Sequence, residues 1–278
     1  RDQGRTKGMP ELPEVETIRS GLEPLVSGRR FVKVSLPWPG AVKHPSPEEF
    51  SHRLMGRRIE GVGRRGKYLF FPLSDGCSLI VHLKMTGRLL AATSTASSPH
   101  LRACFFLSDG QTLCFWDQRK LGALWLMEDR EALLGKLGPE PLEPSFTATA
   151  LGEKLAGRRG PLKPLLCDQT FLAGVGNIYS DEALYHSRLH PLRPSGSLSK
   201  AEVRRLHAAI IEVLREALAR RGTSVRNYVD AMGEKGTYQE VLQVYRRRGQ
   251  PCPRCGTPIQ RLPVRGRGAH FCPRCQKA

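Results

Sequence analysis

What this chain lacks narrows it first. No run of its 278 residues is long and apolar enough to suggest a membrane span, and no signal-like hydrophobic stretch is present. A soluble, intracellular protein is therefore expected, with no membrane partner. Acidic residues are scarce: 26 Asp and Glu stand against 44 Lys and Arg, a formal charge of +18. That imbalance suits a polyanion, and nucleic acid leads among such partners. Internal repeats are absent beyond one paired cysteine motif, and the length allows at least two domains.

The cysteines fall into two kinds. Cys252-Pro253-Arg254-Cys255 and Cys272-Pro273-Arg274-Cys275 are two C-x-x-C pairs sixteen residues apart. This spacing closes a tetrahedral thiolate site at the base of a zinc-bound hairpin; the competing reading, two disulfides, fits poorly without a secretion signal. Cys77, Cys104, Cys114 and Cys167 lie in apolar stretches such as Cys114-Phe115-Trp116, where buried reduced thiols are expected.

Near the start, Met9-Pro10-Glu11-Leu12-Pro13-Glu14-Val15-Glu16-Thr17 offers chemistry. If synthesis starts at Met9 and the methionine is trimmed, Pro10 becomes a terminal secondary amine. Such an amine has a pKa near ~8, against ~10.4 for lysine, so a sizeable fraction is unprotonated at neutral pH and can attack a carbonyl-like carbon. Glu11 is placed to move a proton there. The plainer alternative is that Pro10 and Pro13 only shape a helix start.

Along the chain, residues 1–8 are polar and featureless, like an upstream extension. Val15, Ile18, Leu22 and Leu25 then recur at helical spacing until Gly28. Short β-rich segments follow: Phe31 to Leu36, Arg58 to Val62, Tyr68 to Phe71, Leu79 to Leu83, Ala103 to Leu107 and Thr112 to Trp116. Ser74-Asp75-Gly76 and Ser108-Asp109-Gly110 read as hairpin turns, and Ala91 to Pro99 as a mobile loop. So many short strands pack naturally as an antiparallel β-sandwich. Pro139, Pro141 and Pro144 mark a linker into a helical half, whose clearest helix starts at Ser199 with Glu202 completing a capping box and runs to Gly222.

Four segments now stand in order: Pro10 to Thr17, Leu137-Gly138-Pro139-Glu140-Pro141-Leu142, Phe171-Leu172-Ala173-Gly174-Val175-Gly176-Asn177-Ile178-Tyr179, and the four-cysteine hairpin. Together, over Met9 to Lys277, they resemble the bacterial formamidopyrimidine-DNA glycosylase family, within the wider group that includes endonuclease VIII. The wording from Pro10, with Met85 and Arg119 in context, favours the purine-lesion branch. The resemblance implies an α+β protein: an N-terminal antiparallel β-sandwich (10–138), a helix-two-turn-helix DNA-binding domain (139–242) and a C-terminal zinc-finger β-hairpin (243–278). It implies a monomer holding damaged double-stranded DNA between its domains, in the bacterial cytoplasm and at the nucleoid, with one structural Zn2+ on Cys252, Cys255, Cys272 and Cys275. Four thiolates leave no open position for water.

The implied activity is bifunctional base excision repair: release of 8-oxoguanine and formamidopyrimidines, then lyase cleavage at the abasic site. Pro10 resembles the nucleophile that attacks C1′ and forms a Schiff base, and Glu11 the acid that assists ring opening. Glu14 would support the amine, and β,δ-elimination would leave a one-nucleotide gap. Lys67 and Arg267 resemble the lysine near the lesion phosphates and the zinc-finger arginine that assists elimination. The base must leave the stack before C1′ is reachable. Met85 would then fill the void and Arg119 face the orphaned base, with a preference for cytosine. His100, Arg158, Lys163 and Asn177 fall on DNA-contact positions, Asn177 at a helix N-terminus suited to phosphate. Residues 222–238, with Thr223 to Arg226 in front, resemble a loop that covers the flipped purine through its backbone amides.

Two positions depart from the family pattern. Leu121 stands where many members have a phenylalanine wedge, and Lys84 where glycine is frequent. One chemical condition also follows. An internal Pro10 has an amide nitrogen without a basic lone pair, so residues 1–9 must be absent from active protein, through a start at Met9 or through proteolytic maturation. Two other classes stay open at this point: an oxidised-pyrimidine glycosylase of the endonuclease VIII type, and a zinc protein that only binds DNA.

Overall fold

The computed structural model describes residues 9–92, 98–224 and 228–277. The extension expected at 1–8 lies outside the described residues, as do 93–97 of the expected mobile loop and Val225 and Arg226 of the covering loop. Packing divides the chain into two compact units, residues 9–136 with 220–237 and residues 137–219 with 238–277.

The first unit opens with helix α1, Leu12–Val26. Pro13 sits in its first turn, where its missing N–H costs nothing, and Val15, Ile18, Leu22 and Val26 line its buried face. Strands β1 (Phe31–Ser35), β2 (Val42–His44), β3 (Gly63–Arg65), β4 (Tyr68–Pro72), β5 (Ser78–His82), β6 (Gly87–Ala92), β7 (Leu101–Leu107), β8 (Thr112–Asp117) and β9 (Ala123–Met127) follow, with α2 (Pro47–Leu54) after β2 and α3 (Glu131–Leu134) after β9. They form a four-stranded sheet, β1-β7-β8-β6, and a five-stranded sheet, β2-β9-β5-β4-β3.

One core joins both sheets. Leu69, Phe71, Leu79, Val81 and Leu124 from one meet Phe31, Leu89, Ala103, Phe105 and Phe115 from the other, with α1 and α2 adding Ile18, Leu22, Phe50 and Leu54. Full burial of each such side chain is worth about 1.5–3 kcal/mol, so the sandwich is held mainly by this interior. Both expected hairpin turns join adjacent antiparallel strands, β4 to β5 and β7 to β8.

Three expectations are corrected here. The segment Arg58 to Val62 makes only isolated bridges at Arg58 and Ile59, and the ladder strand begins at Gly63. The sandwich is not wholly antiparallel, because β2 runs parallel to β9. Cys104 and Cys114 are not separate thiols: the β7–β8 register places them opposite each other, Cα atoms 4.3 Å apart, and they form a disulfide. No linear reading of apolar neighbours reveals a cross-strand register. Cys77 and Cys167 are buried free thiols, as expected.

The second unit contains α4 (Ala148–Leu155), α5 (Leu162–Leu166), α6 (Asn177–His186) and α7 (Lys200–Ala219), then β10 (Gln260–Val264) paired antiparallel with β11 (Arg267–Phe271). The capping box of α7 is present: Ser199 N–H donates to Glu202 Oε2 at 2.8 Å, and Glu202 N–H to Ser199 Oγ at 3.3 Å. Residues 220–237, assigned from sequence to the helical domain, pack instead with the sandwich. Ala91 N–H donates to Ala231 O at 3.2 Å, and Tyr228 OH to Glu14 O at 3.3 Å. Among the described residues, no helix is long and apolar enough to cross a membrane.

Candidate functional site

In the first unit, Pro10 and Glu11 are buried at the N-terminal end of α1, with Glu11 as its N-cap. Glu14, also buried, organises this end. Its Oε2 accepts the Glu11 N–H at 2.8 Å and its Oε1 accepts the Thr223 N–H at 2.7 Å. One carboxylate thus ties the start of α1 to the 220–237 segment. Gly222 is what permits the approach: it has φ +81°, and a Cβ there would lie 2.7 Å from Glu14 Oε1. Both conditions exclude a side chain. Lys67 follows Gly66 in the β3–β4 turn and is buried despite its charge.

Met85 and Arg119 come from two different connections between the sheets, β5–β6 and β8–β9, yet meet, with Arg119 Nη1 3.0 Å from Met85 Sδ. The hub behind them is Asp117 at the end of β8, 1% exposed. Its Oδ1 accepts from the Arg119 N–H at 3.1 Å and from the Thr86 hydroxyl, and its Oδ2 accepts from Leu121 and Gly122 N–H at 2.6 Å each. Asp117 therefore shapes the loop carrying Arg119 while Thr86 binds that loop to the one carrying Met85. Sequence reading missed both anchors. The available signal was an Asp two residues before Arg119, the usual seed of a side-chain-capped turn.

His82 steadies the Met85 loop from the other side. Its Nδ1 accepts the Lys84 N–H at 2.9 Å. Burial, and then the nearby positive charges of Lys84 and Lys67, push the imidazole down to about 3, so it stays neutral and keeps that acceptor. Lys84 has φ +52°, in the left-handed region that favours glycine. Leu121 is 41% exposed, an apolar side chain in open solvent beside Arg119. His100 is exposed and borders a cavity of about 360 Å³ with Arg88, Trp116 and Gln118.

In the second unit, the loop Phe171 to Gly176 leads into Asn177, the first residue of α6. Gln169 braces that loop: its Oε1 accepts the Gly174 N–H at 3.0 Å and its Nε2 donates to Val175 O at 2.7 Å. The exposed Arg158 guanidinium lies over the Phe171 ring, 5.2 Å from its centre. Arg267 is exposed beside the β10–β11 turn, where Arg265 and Gly266 have φ +44° and +77°. Two consecutive positive φ values match the tight turn that suits twisted hairpins.

Lys163 requires a correction. It is 1% exposed, and its Nζ is held by Asp181 Oδ1 at 2.6 Å and by Asn177 O at 2.8 Å. The ammonium serves the interior of the helical unit and is not a surface phosphate contact. A basic residue in a glycine- and lysine-rich stretch gives no sequence sign that a carboxylate eighteen residues later will claim it.

The four hairpin cysteines converge. All four Sγ atoms lie within 4.8 Å of one another, with Cys255–Cys272 and Cys255–Cys275 at 3.5 Å and Cys252–Cys275 at 3.9 Å. Four thiolates at the usual Zn–S distance of about 2.3 Å have tetrahedral edges of about 3.8 Å, so these separations fit zinc. Tyr185, Val244 and Ile259 pack against the cluster.

Three family models cover the chain in sequence. The formamidopyrimidine-DNA glycosylase N-terminal domain matches residues 9–124, the H2TH domain of the same enzymes 137–229, and the zinc finger found in FPG and IleRS 249–278. The chain belongs to the formamidopyrimidine-DNA glycosylase family. A formamidopyrimidine-DNA glycosylase of Geobacillus kaustophilus is 45% identical over 97% of this chain and its own full length. One from Moorella thermoacetica is 50% identical over 91% of this chain and 94% of its own. A Lactococcus lactis FPG mutant in complex with Fapy-dG-containing DNA has the same fold, with TM-score 0.91 and 38% identity over 97% of this chain and all of that one. A Lactococcus lactis Fpg complex with abasic-site DNA gives 0.90 and 38%, covering 96% of this chain and all of that one. Membership in the glycosylase family accounts for one structural zinc on Cys252, Cys255, Cys272 and Cys275.

Proposed function

We propose that this member of the family is a bifunctional DNA glycosylase and AP lyase that excises oxidised purines, 8-oxoguanine and formamidopyrimidines, from double-stranded DNA. The observation that carries the reading is the buried Pro10–Glu11 end of α1, tied by Glu14 to the 220–237 segment. With residues 1–9 removed, the Pro10 nitrogen is a secondary amine just before the N-cap of α1, free to attack C1′ of a nucleotide turned out of the stack. The base leaves as the C1′–N bond breaks, and Glu11 supplies a proton at the sugar as the ring opens. The resulting iminium acidifies the neighbouring sugar carbon, loss of whose proton expels the 3′ phosphate. A second elimination expels the 5′ phosphate, and hydrolysis of the iminium frees Pro10.

Within the same reading, Lys67 and Arg267 hold phosphates at the reacting nucleotide. Met85 and Arg119, already in contact, fill the space the base leaves, with the Arg119 donors suited to cytosine's acceptors. Asn177, Arg158 and His100 grip the backbone, while zinc, when bound, holds the hairpin that presents Arg267. The bound form is a monomer in the cytoplasm, on nucleoid DNA. Base-release assays on paired duplexes test the lesion class. We expect excision of 8-oxoguanine and formamidopyrimidine opposite cytosine; preferential release of oxidised pyrimidines would move the chain to the endonuclease VIII type, and binding without release would leave a non-catalytic zinc protein.

A further inference from the structure

A buried polar cluster inside the second unit has no part in the reaction just described. Asp181, one turn into α6, is 1% exposed and uses both carboxylate oxygens. Oδ1 accepts from Lys163 Nζ at 2.6 Å, and Oδ2 accepts from both the His270 N–H and His270 Nδ1, each at 3.0 Å. Because a paired carboxylate only accepts, His270 Nδ1 carries the proton in this contact. Lys163 closes the arrangement by donating also to Asn177 O at 2.8 Å. The next residue, Glu182, is fully buried and accepts three N–H groups, from Gln243, Val244 and Tyr245 at 2.8, 3.0 and 2.8 Å. Two adjacent acids of α6 thus hold the chain on either side of the first zinc knuckle, Cys252 to Cys255.

The placement has a consequence for phosphate binding. Asn177 lies four residues before Asp181 on one helix, about 6 Å along its axis. Arg267 lies three residues before His270 on one strand, about 10 Å along it. Resting on the phosphate roles proposed above for Asn177 and Arg267, we infer that Asp181 is a positioning residue which sets the spacing of these two phosphate contacts by locking β11 to α6. Zinc gives the hairpin its shape; Asp181 gives it its place on the helix.

The test needs a variant that releases β11 without stranding a charge. Asp181→Ala would leave the Lys163 ammonium unpaired in a dry interior, which strongly destabilises, whereas replacing both members of a buried pair by apolar residues is often tolerated. The double variant Lys163→Met with Asp181→Leu should keep wild-type zinc content and helical circular dichroism. Its binding to abasic-site DNA should weaken, with the slope of log affinity against log salt reduced by about 0.9, one phosphate contact. A second pair leaves the Lys163–Asp181 ion pair in place: His270→Leu should flatten the slope in the same direction, and His270→Asn, which keeps a side-chain donor for Asp181, should restore it. Unchanged salt slopes in a folded, zinc-loaded double variant, or in His270→Leu if the double variant fails to fold, would overturn the inference. Failure of the wild-type chain to bind or cut lesion DNA would instead overturn the proposed function, so the two can be told apart.

Discussion

Asp117 offers the sharpest test of how the site is assembled. Its side chain satisfies the Arg119, Leu121 and Gly122 N–H groups and the Thr86 hydroxyl, all from within a buried position. Asp117→Ala removes the acceptor for all four donors; at a net value of about 1 kcal/mol each, the loss is about 4 kcal/mol. Asp117→Asn is milder, since an amide turned with its oxygen toward Leu121 and Gly122 loses mainly the Arg119 bond, costing about 1 kcal/mol on the same scale. With about 3 °C per kcal/mol for a protein of this size, Asp117→Ala should melt about 12 °C lower and Asp117→Asn about 3 °C lower. Calorimetry measures this directly. At a temperature where all three proteins are folded, excision opposite cytosine and adenine should show graded loss of discrimination, because the loop carrying Arg119 is no longer fixed. An Asp117→Ala protein melting within about 2 °C of wild type with an intact cytosine preference would refute the assignment.

Three further outcomes follow from other parts of the molecule. Arg119→Ala should reduce discrimination between cytosine and adenine opposite the lesion while leaving binding to abasic DNA nearly unchanged; an unaltered preference removes Arg119 from the readout. His82 is held neutral down to about 3 in the folded chain but titrates near 6.5 when unfolded, so below 6.5 the unfolded state binds the extra proton. Stability should therefore fall as pH drops from about 6.5 toward about 3, by up to about 1.4 kcal/mol per pH unit, and His82→Gln should lose that part of the slope in acid-dependent denaturant melts. Cys255→Ser should release zinc and weaken DNA binding, since so small a hairpin cannot hold its shape alone; full zinc retention with unchanged affinity would contradict this.

The legible parts of the sequence were those carried by local rules. Helical spacing from Val15 to Leu22, the Ser199–Glu202 cap, the two Asp-Gly turns and the cysteine spacing each state their structure within a few residues. What escaped depends on partners far along the chain. The Cys104–Cys114 bridge needs the β7–β8 register, and the β2–β9 parallel pair joins segments some eighty residues apart. The attachment of residues 220–237 to the sandwich rests on hydrogen bonds with the Glu14 carboxylate and the Ala91 N–H. Lys163 shows the same limit at a single residue. Its charge suggested a phosphate, and only the fold brings Asp181 against it. Conversely, Lys84 reads from sequence as a departure, and the structure places it at a positive φ that favours glycine.

The central claim is that the Pro10 nitrogen forms a covalent bond to the sugar. The most direct measurement is borohydride reduction of a chain beginning at Pro10, mixed with a duplex carrying 8-oxoguanine opposite cytosine. The account predicts a stable one-to-one protein–DNA adduct, with the linkage mapped to Pro10 by mass spectrometry of the digested complex. Tight binding of the same duplex with no trapped adduct, or an adduct mapped to Lys67 or another lysine, would contradict it.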